Sequence, residues 1–218
     1  MYRTSRHDYD TQHLPSAAGA APTSILAAKS PIGDLWYLAD RATQRAAQAH
    51  HALLERHGEA DYETTHEKHV SRRRFRVLAE RICETGGPYG AHTVVYRSSG
   101  ELLLVRHEGV DRWVLPGGGV DGRETFREAA ERELTEEAGV EVDYEGLGML
   151  SRVEVRSGDH HTWGVLPVYA ARAETLDPEV SDPDGEISAA RWFDDLPGDT
   201  RDREDLLAWR ERHLSSRV

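Results

Sequence analysis

The chain has 218 residues, 38% hydrophobic and 30% charged, with a formal net charge of −12, so it can bury one sizeable core with something appended, or two small domains. No apolar run approaches the ~20 residues needed to cross a bilayer, and the acidic balance argues against general affinity for nucleic acid or anionic membrane. One cysteine, Cys83, allows no internal disulfide, and the first residues lack the apolar stretch of a secretory signal, so a cytoplasmic location is expected.

Residues 1–33 place Pro15, Pro22 and Pro31 among Ala, Ser, Thr and Gly, a composition that offsets little ordering entropy and reads as a flexible leader. From Asp34 the pattern changes. Leu35, Leu38, Ala42, Ala46, Ala49 and Leu53 recur at spacings of three and four, which predicts an amphipathic helix ending near Gly58. Val70, Phe75, Leu78 and Ile82 predict a second helix, stopped by TGGPYG at 85–90. A domain boundary is placed there, giving a helical extension over 34–86 and a main domain over 87–218.

Beyond the boundary the period shortens to that of strands. AHTVVYR at 91–97, ELLLVRH at 101–107 and WVLP at 113–116 are expected strands, as are 147–155, 162–172 and 188–194. Residues 125–138 and 201–214 are expected helices. Such a mixture predicts an α/β domain with a sheet packed between helical layers.

Residues 118–140, GGVDGRETFREAAERELTEEAGV from Gly118, carry the chemistry. Five residues after Gly118 comes Glu124, and seven later Arg132 and Glu133, followed by Leu134, Glu136, Glu137, Gly139 and Val140. Thr125 and Glu128 have the spacing of a capping box that starts a helix, and Gly139 supplies its stop. Glu133, Glu136 and Glu137 then share one helix face. Like charges so placed cost a free helix roughly 0.2–0.5 kcal/mol per pair, so a merely structural helix avoids them. A hard divalent cation removes the repulsion, and carboxylate oxygens suit Mg²⁺ or Mn²⁺. Arg132 is placed to orient and neutralise these carboxylates by pairing with the glutamates a turn away, Glu128 and Glu136. Arg127, Glu128 and Glu131 read as decoration of a solvated face.

This pattern fits G-x5-E-x7-R-E-U-x-E-E-x-G-U at every fixed position and resembles the Nudix box, a far more specific signal than a lone glycine-rich loop. The resemblance covers about residues 90–197. It implies the Nudix fold, an α/β/α sandwich with a mixed β-sheet, here preceded by an N-terminal helical hairpin. It further implies Mg²⁺-dependent hydrolysis of a diphosphate linkage, with Glu133, Glu136 and Glu137 as metal ligands, Glu124 and Arg132 supporting them and Gly118 shaping the loop. Family members often add a carboxylate from a later loop, and Glu186, six residues before Trp192, is the candidate. Asp182, Asp184, Glu179 and Glu154 are weaker competitors.

The implied substrate is a nucleoside diphosphate linked to another group, with ADP-ribose or another sugar nucleotide first. Downstream signatures are missing: Glu154 stands where ADP-ribose hydrolases tend to have proline, and Arg156 where dinucleoside polyphosphate hydrolases have tyrosine. House-cleaning hydrolysis of nucleoside triphosphates and a non-catalytic nucleotide sensor are the alternatives; the intact set of glutamates argues against the sensor. Trp113 and Trp163 are expected in the core more than stacked on a base. The run SRRRFR at 71–76 is expected to meet acidic surface on the main domain. The helical extension resembles those of Nudix enzymes that act on such linked nucleotides, which implies a homodimer through the N-terminal helices. Two lysines, Lys29 and Lys68, leave twenty-five arginines among the 27 basic residues, a balance that resembles a haloarchaeal member's, although a GC-rich genome gives the same arginine excess.

Overall fold

The computed structural model describes residues 33–175 and 177–215; the leader expected at 1–33 lies outside them apart from Gly33. In chain order the elements are α1 (Gly33–His57), β1 (Tyr62–His69), α2 (Arg72–Thr85), β2 (Ala91–Tyr96), β3 (Leu102–His107) and β4 (Arg112–Val114). Then come β5 (Gly117–Gly118), α3 (Phe126–Glu137), β6 (Val142–Ser157), β7 (His160–Ala173), β8 (Ile187–Phe193) and α4 (Arg203–Ser215).

The strands form one mixed sheet in the order β1-β6-β7-β2-β3-β4, with β5 paired to β2 and β8 to β3. The pairs β1–β6 and β2–β7 are parallel, the others antiparallel. Alternation along the strands sorts the core into two layers. Val95, Leu103 and Val105 pack with Leu134, Ala138 and Val140 of the α3 segment, while Val94, Tyr96, Leu104, Met149 and Val168 pack with Leu206 and Trp209 of α4. Each fully buried Val, Leu or Met side chain among them contributes roughly 1.5–3 kcal/mol.

The two N-terminal helices form as expected. Leu35, Ala39, Ala42, Ala46, Ala49 and Leu53 of α1 are buried with Phe75, Leu78 and Ile82 of α2 and Val153, Val155, Trp163, Val165 and Tyr169 of the sheet. Gly58 ends the first helix at φ 78, its N–H bonded to Leu54 O at 2.9 Å. Gly86 caps the second at φ 98, and a side chain on it would run into Ala49.

The helices are not joined as a simple hairpin. Between them YETTHEKH forms the strand β1, parallel to β6 from Tyr62↔Met149 to His69↔Arg156. As an edge strand it needs a ladder on one side and cover on one face, so polar residues suffice. The expected strands also begin earlier than the apolar runs suggest, at Val142 for β6 and His160 for β7, and the loop glycines Gly117–Gly118 form a short strand of their own.

Candidate active site

The segment between β4 and α3 is shaped by backbone close to backbone. Gly117 and Gly118 pair with His92 and Ala91 of β2. Gly117 sits at φ 147, where a Cβ would come within 2.5 Å of His92 Cα, and a Cβ on Gly118 would lie 2.6 Å from Glu133 Cδ. At Gly117, against backbone and at positive φ, only glycine lets the chain pass, while at Gly118 the neighbour is the end of the Glu133 side chain. Thr125 then starts α3 with the reciprocal capping box: Glu128 N–H donates to Thr125 Oγ1 at 3.2 Å and Thr125 N–H to Glu128 Oε2 at 2.7 Å. Gly139, at φ 59, leaves the helix with its N–H on Leu134 O at 3.1 Å.

Arg132 gathers the acids of the box. Its Nε donates to Glu124 Oε1 and its Nη1 to Glu133 Oε1, both at 2.9 Å, and Nη1 also reaches Glu136 Oε2 at 3.4 Å. Its Nη2 donates to Gly119 O at 3.0 Å and Glu124 Oε2 at 3.1 Å, which ties the preceding loop to the helix. The expected pairing with Glu128 is replaced by Glu124, because the cap already occupies Glu128. Arg127, expected on a solvated face, lies 3.6 Å above the Tyr144 ring and donates to Glu131 at 2.6 Å.

Glu137 is the buried member, 9% exposed, and accepts the Gly117 N–H at 2.8 Å. Burial pushes its carboxyl up to about 8 against that hydrogen bond, and the charges of Glu133, Asp182 and Glu186 push the same way. Burial also raises Glu133, opposed by the Arg132 hydrogen bond. Carboxylates that burial and neighbouring charge drive toward protonation are residues that could hold a hard divalent cation.

The loop after β7 completes this cluster. Glu179 N–H and Ser181 N–H bond to Ala138 O at 2.8 Å and Glu136 O at 2.9 Å, docking the loop on the end of α3. The Asp182 carboxylate then accepts three backbone N–H groups, from Asp184 at 2.9 Å, Glu186 at 2.6 Å and Ile187 at 2.7 Å. That turn presents Glu186, whose Oε2 lies 3.4 Å from His107 Nε2. Asp182 thus organises the loop, and Asp184 is exposed on its outside.

Other candidates lie elsewhere. Glu154, on β6, is held by Arg152 at 3.2 Å, Arg156 at 3.1 Å and His161 at 3.4 Å. Trp163 is in the core with Arg152 3.8 Å over its ring, and Trp113 meets Phe193 edge-on at 4.8 Å. Of the arginine run, Arg76 pairs with Asp34 of α1 at 3.4 Å rather than with the main domain.

Among the described residues, the one group whose ligand-type atoms all lie within 4.8 Å of one another is His66, Asp202 and Asp205. There Asp205 already accepts from Tyr62 Oη at 3.1 Å and faces His66 Nε2 at 3.5 Å, which is a polar tie between β1 and α4. The box carboxylates stand further apart, spread by Arg132 and Gly117. Sequence reasoning did not single out His107, His92 or Arg201. Arg201, bonded through its N–H to Trp113 O at 2.8 Å, lowers both histidines after the larger effect of burial, His92 down to about 4. The only sequence signal for His107 is a polar residue at the end of an apolar strand.

The NUDIX domain family profile matches residues 88–209. A Bacillus subtilis (strain 168) protein described as a candidate 8-oxo-dGTP diphosphatase is 35% identical over 86 residues, which is 39% of this chain and 58% of that protein; the chain thus matches just over half the length of this curated relative. Among solved structures, an ADP-ribose pyrophosphatase from Streptococcus suis is 21% identical with a TM-score of 0.41, covering 59% of this chain and 90% of its own. A MutT NUDIX hydrolase from Burkholderia pseudomallei is 27% identical with a TM-score of 0.38, covering 56% and 97%. The NUDIX domain of Shewanella oneidensis NrtR, complexed with ADP ribose, is 17% identical with a TM-score of 0.42, covering 59% and 86%. With the complete box on a capped helix against a mixed sheet, and a family match over more than half its length, this chain belongs to the NUDIX family.

Proposed function

We propose that the protein hydrolyses the diphosphate linkage of a nucleotide in the presence of Mg²⁺ or Mn²⁺. The observation that carries this reading is Glu137, buried against the glycine-shaped loop, whose carboxyl is pushed up first by that burial and then by the charges of Glu133 on its own helix and Glu186 on a later loop. Glu133, Glu136 and Glu137 would hold the metal, which when bound neutralises phosphate charge and activates water.

The chain's own residues have distinct parts. Gly117 N–H fixes one oxygen of Glu137. Arg132 holds Glu133 and Glu136 in place while Glu124 and Gly119 hold Arg132. Gly118 leaves room for Glu133 against the backbone. Glu186 approaches from the opposite loop and serves as proton acceptor for the attacking water.

The preferred substrate is a nucleoside diphosphate linked to another moiety, ADP-ribose or another sugar nucleotide. A second reading, cleavage of a nucleoside triphosphate, has the support of the Bacillus subtilis relative at 35% identity. A panel of ADP-ribose, sugar nucleotides, CDP-choline, dinucleoside polyphosphates and triphosphates, with Mg²⁺, Mn²⁺ or chelator, separates them: AMP from ADP-ribose supports the first, pyrophosphate from a triphosphate the second. No metal-dependent release from any of them overturns both. A homodimer through the N-terminal helices would use Trp36 and Tyr37, 51% and 64% exposed, and a monomeric mass in light scattering discards it. No helix among the described residues is long and apolar enough to cross a membrane.

A further inference from the structure

The acids of this site are held in different ways. Glu124, Glu133 and Glu136 are gripped by a permanent cation, Arg132, and Glu137 by the Gly117 N–H. Among the described residues no arginine pairs with the Glu186 carboxylate; its neighbour is the imidazole of His107, at 3.4 Å. The ring belongs to the last residue of β3, where the ladder with β8 changes register, and the side chain is 18% exposed.

The tautomer of that ring follows from a backbone contact. Gly109 N–H donates to His107 Nδ1 at 3.2 Å, so Nδ1 must carry a lone pair, and the ring proton of the neutral imidazole sits on Nε2, the atom facing Glu186. A Cβ on Gly109 would lie 3.1 Å from His107 Cε1, so the glycine turn closes over the ring and limits its rotation. The backbone is tied across the same gap: Glu108 N–H bonds to Glu186 O at 2.8 Å, and Ser188 Oγ bonds to the Glu108 carboxylate. Contacts of this kind are often long in the absence of substrate and tighten in the complex.

We infer that His107, through its Nε2–H, is the positioning residue for Glu186, holding the carboxylate in line with the attacking water. This rests on the hydrolase reading above. A neutral donor suits a proton acceptor, because it orients the carboxylate without cancelling its charge as an arginine would. In the step it serves, the water oxygen bonds to phosphorus as the water O–H bond breaks and its proton passes to a Glu186 oxygen. The bond from that phosphorus to the bridging oxygen breaks, and the leaving phosphate keeps the electron pair.

The test is a double-mutant cycle in the full chain on its best substrate. Glu186→Gln should lower kcat by about 10²-fold or more. His107→Met, with similar bulk and no donor, should lower kcat by roughly 10-fold with KM little changed, as expected when a reacting group is misaligned. His107→Gln, which restores a donor, should recover most of the loss. In the Glu186→Gln background His107→Met should cost nothing further. Full additivity, equal losses for Met and Gln, or normal turnover by Glu186→Gln each overturns the inference while Mg²⁺-dependent hydrolysis stands. One measurement needs no turnover: ¹⁵N NMR should show His107 protonated on Nε2 alone, its Nε2–H resonance moving in Glu186→Gln. A Nδ1-protonated ring overturns the inference even if no substrate is found, whereas loss of all nucleotide hydrolysis with the Nε2 tautomer intact removes the activity reading instead.

Discussion

The box helix α3 and the first helix α1 are both amphipathic, yet opposite forces hold them. On α3 the decisive contacts are ionic and close in sequence: Arg132 reaches Glu124, Glu133 and Glu136, all within eight residues. On α1 the buried face is a row of alanines, Ala39, Ala42, Ala46 and Ala49, between Leu35 and Leu53. These small side chains let α2 and β7 approach closely, so that Gly86 sits directly against Ala49. Helix α1 is stabilised by burying surface, whereas α3 gathers like charges at a cost to the free helix and carries the proposed site. Stability and function are thus carried by different parts of one structure, and substitutions should separate them.

The largest expected effect is on function alone. Glu137→Gln keeps an acceptor for Gly117 N–H but removes the charge, so turnover should fall by about 10³-fold, as when a charge-stabilising group is lost from an active site. Thermal stability without metal should be unchanged or higher, since a desolvated carboxylate is gone. Near-normal turnover would remove Glu137 from the metal-binding set. The converse substitution is Phe75→Ala on α2, where the ring is fully buried. It should cost roughly 3–5 kcal/mol. Because β1 extends the same sheet through β6, denaturant unfolding should remain one transition shifted to lower midpoint. Two transitions, with activity surviving the first, would make residues 34–86 an independent unit.

The same contrast explains what the sequence disclosed. The box was legible because its meaning is local: the cap, the shared face and the stops all fall within 118–140, and each recurs in the structure. The helices α1 and α2 were legible from their period. The strand β1 was not, since Tyr62–His69 carries little apolar pattern and owes its conformation to a partner more than eighty residues away, as in Tyr62↔Met149. Likewise the Glu186 loop was visible only as a lone acid before an aromatic strand, and what holds it, Asp182 on one side and His107 on the other, depends on contacts that spacing does not encode. Glu128 shows the limit from another side: its spacing served both a cap and an Arg132 pair, and geometry chose the cap.

A smaller effect is read through pH. His92, at the start of β2 beside Gly117, is lowered to about 4 by burial and by the charge of Arg201. A base whose folded value lies below its ordinary 6.5 stabilises the fold fully above 6.5 and loses that contribution as pH falls toward 4. With His92 half-buried as a residue, the loss should be on the order of 1–2 kcal/mol. Comparing denaturant midpoints at pH 7 and 4.5, His92→Gln should lose less than the wild-type chain by that amount. Equal losses would show that the fold does not keep His92 neutral.

The smallest effect probes how α1 is seated. Thr162, fully buried on β7, donates its hydroxyl to Ala39 O at 3.1 Å, and its oxygen lies 3.1 Å from Thr43 Oγ1. A hydroxyl has one proton, so with Thr162 donating to the helix carbonyl, Thr43 must be the donor between the two. Thr162→Val preserves shape and removes the proton and the acceptor together; it should cost about 1 kcal/mol, the net value of a buried hydrogen bond. Thr43→Val alone should cost less, because Thr162 keeps its bond to Ala39 O, and the double variant should cost little more than Thr162→Val, since the shared bond cannot be lost twice. Additive losses would mean that the two hydroxyls act separately and share no bond.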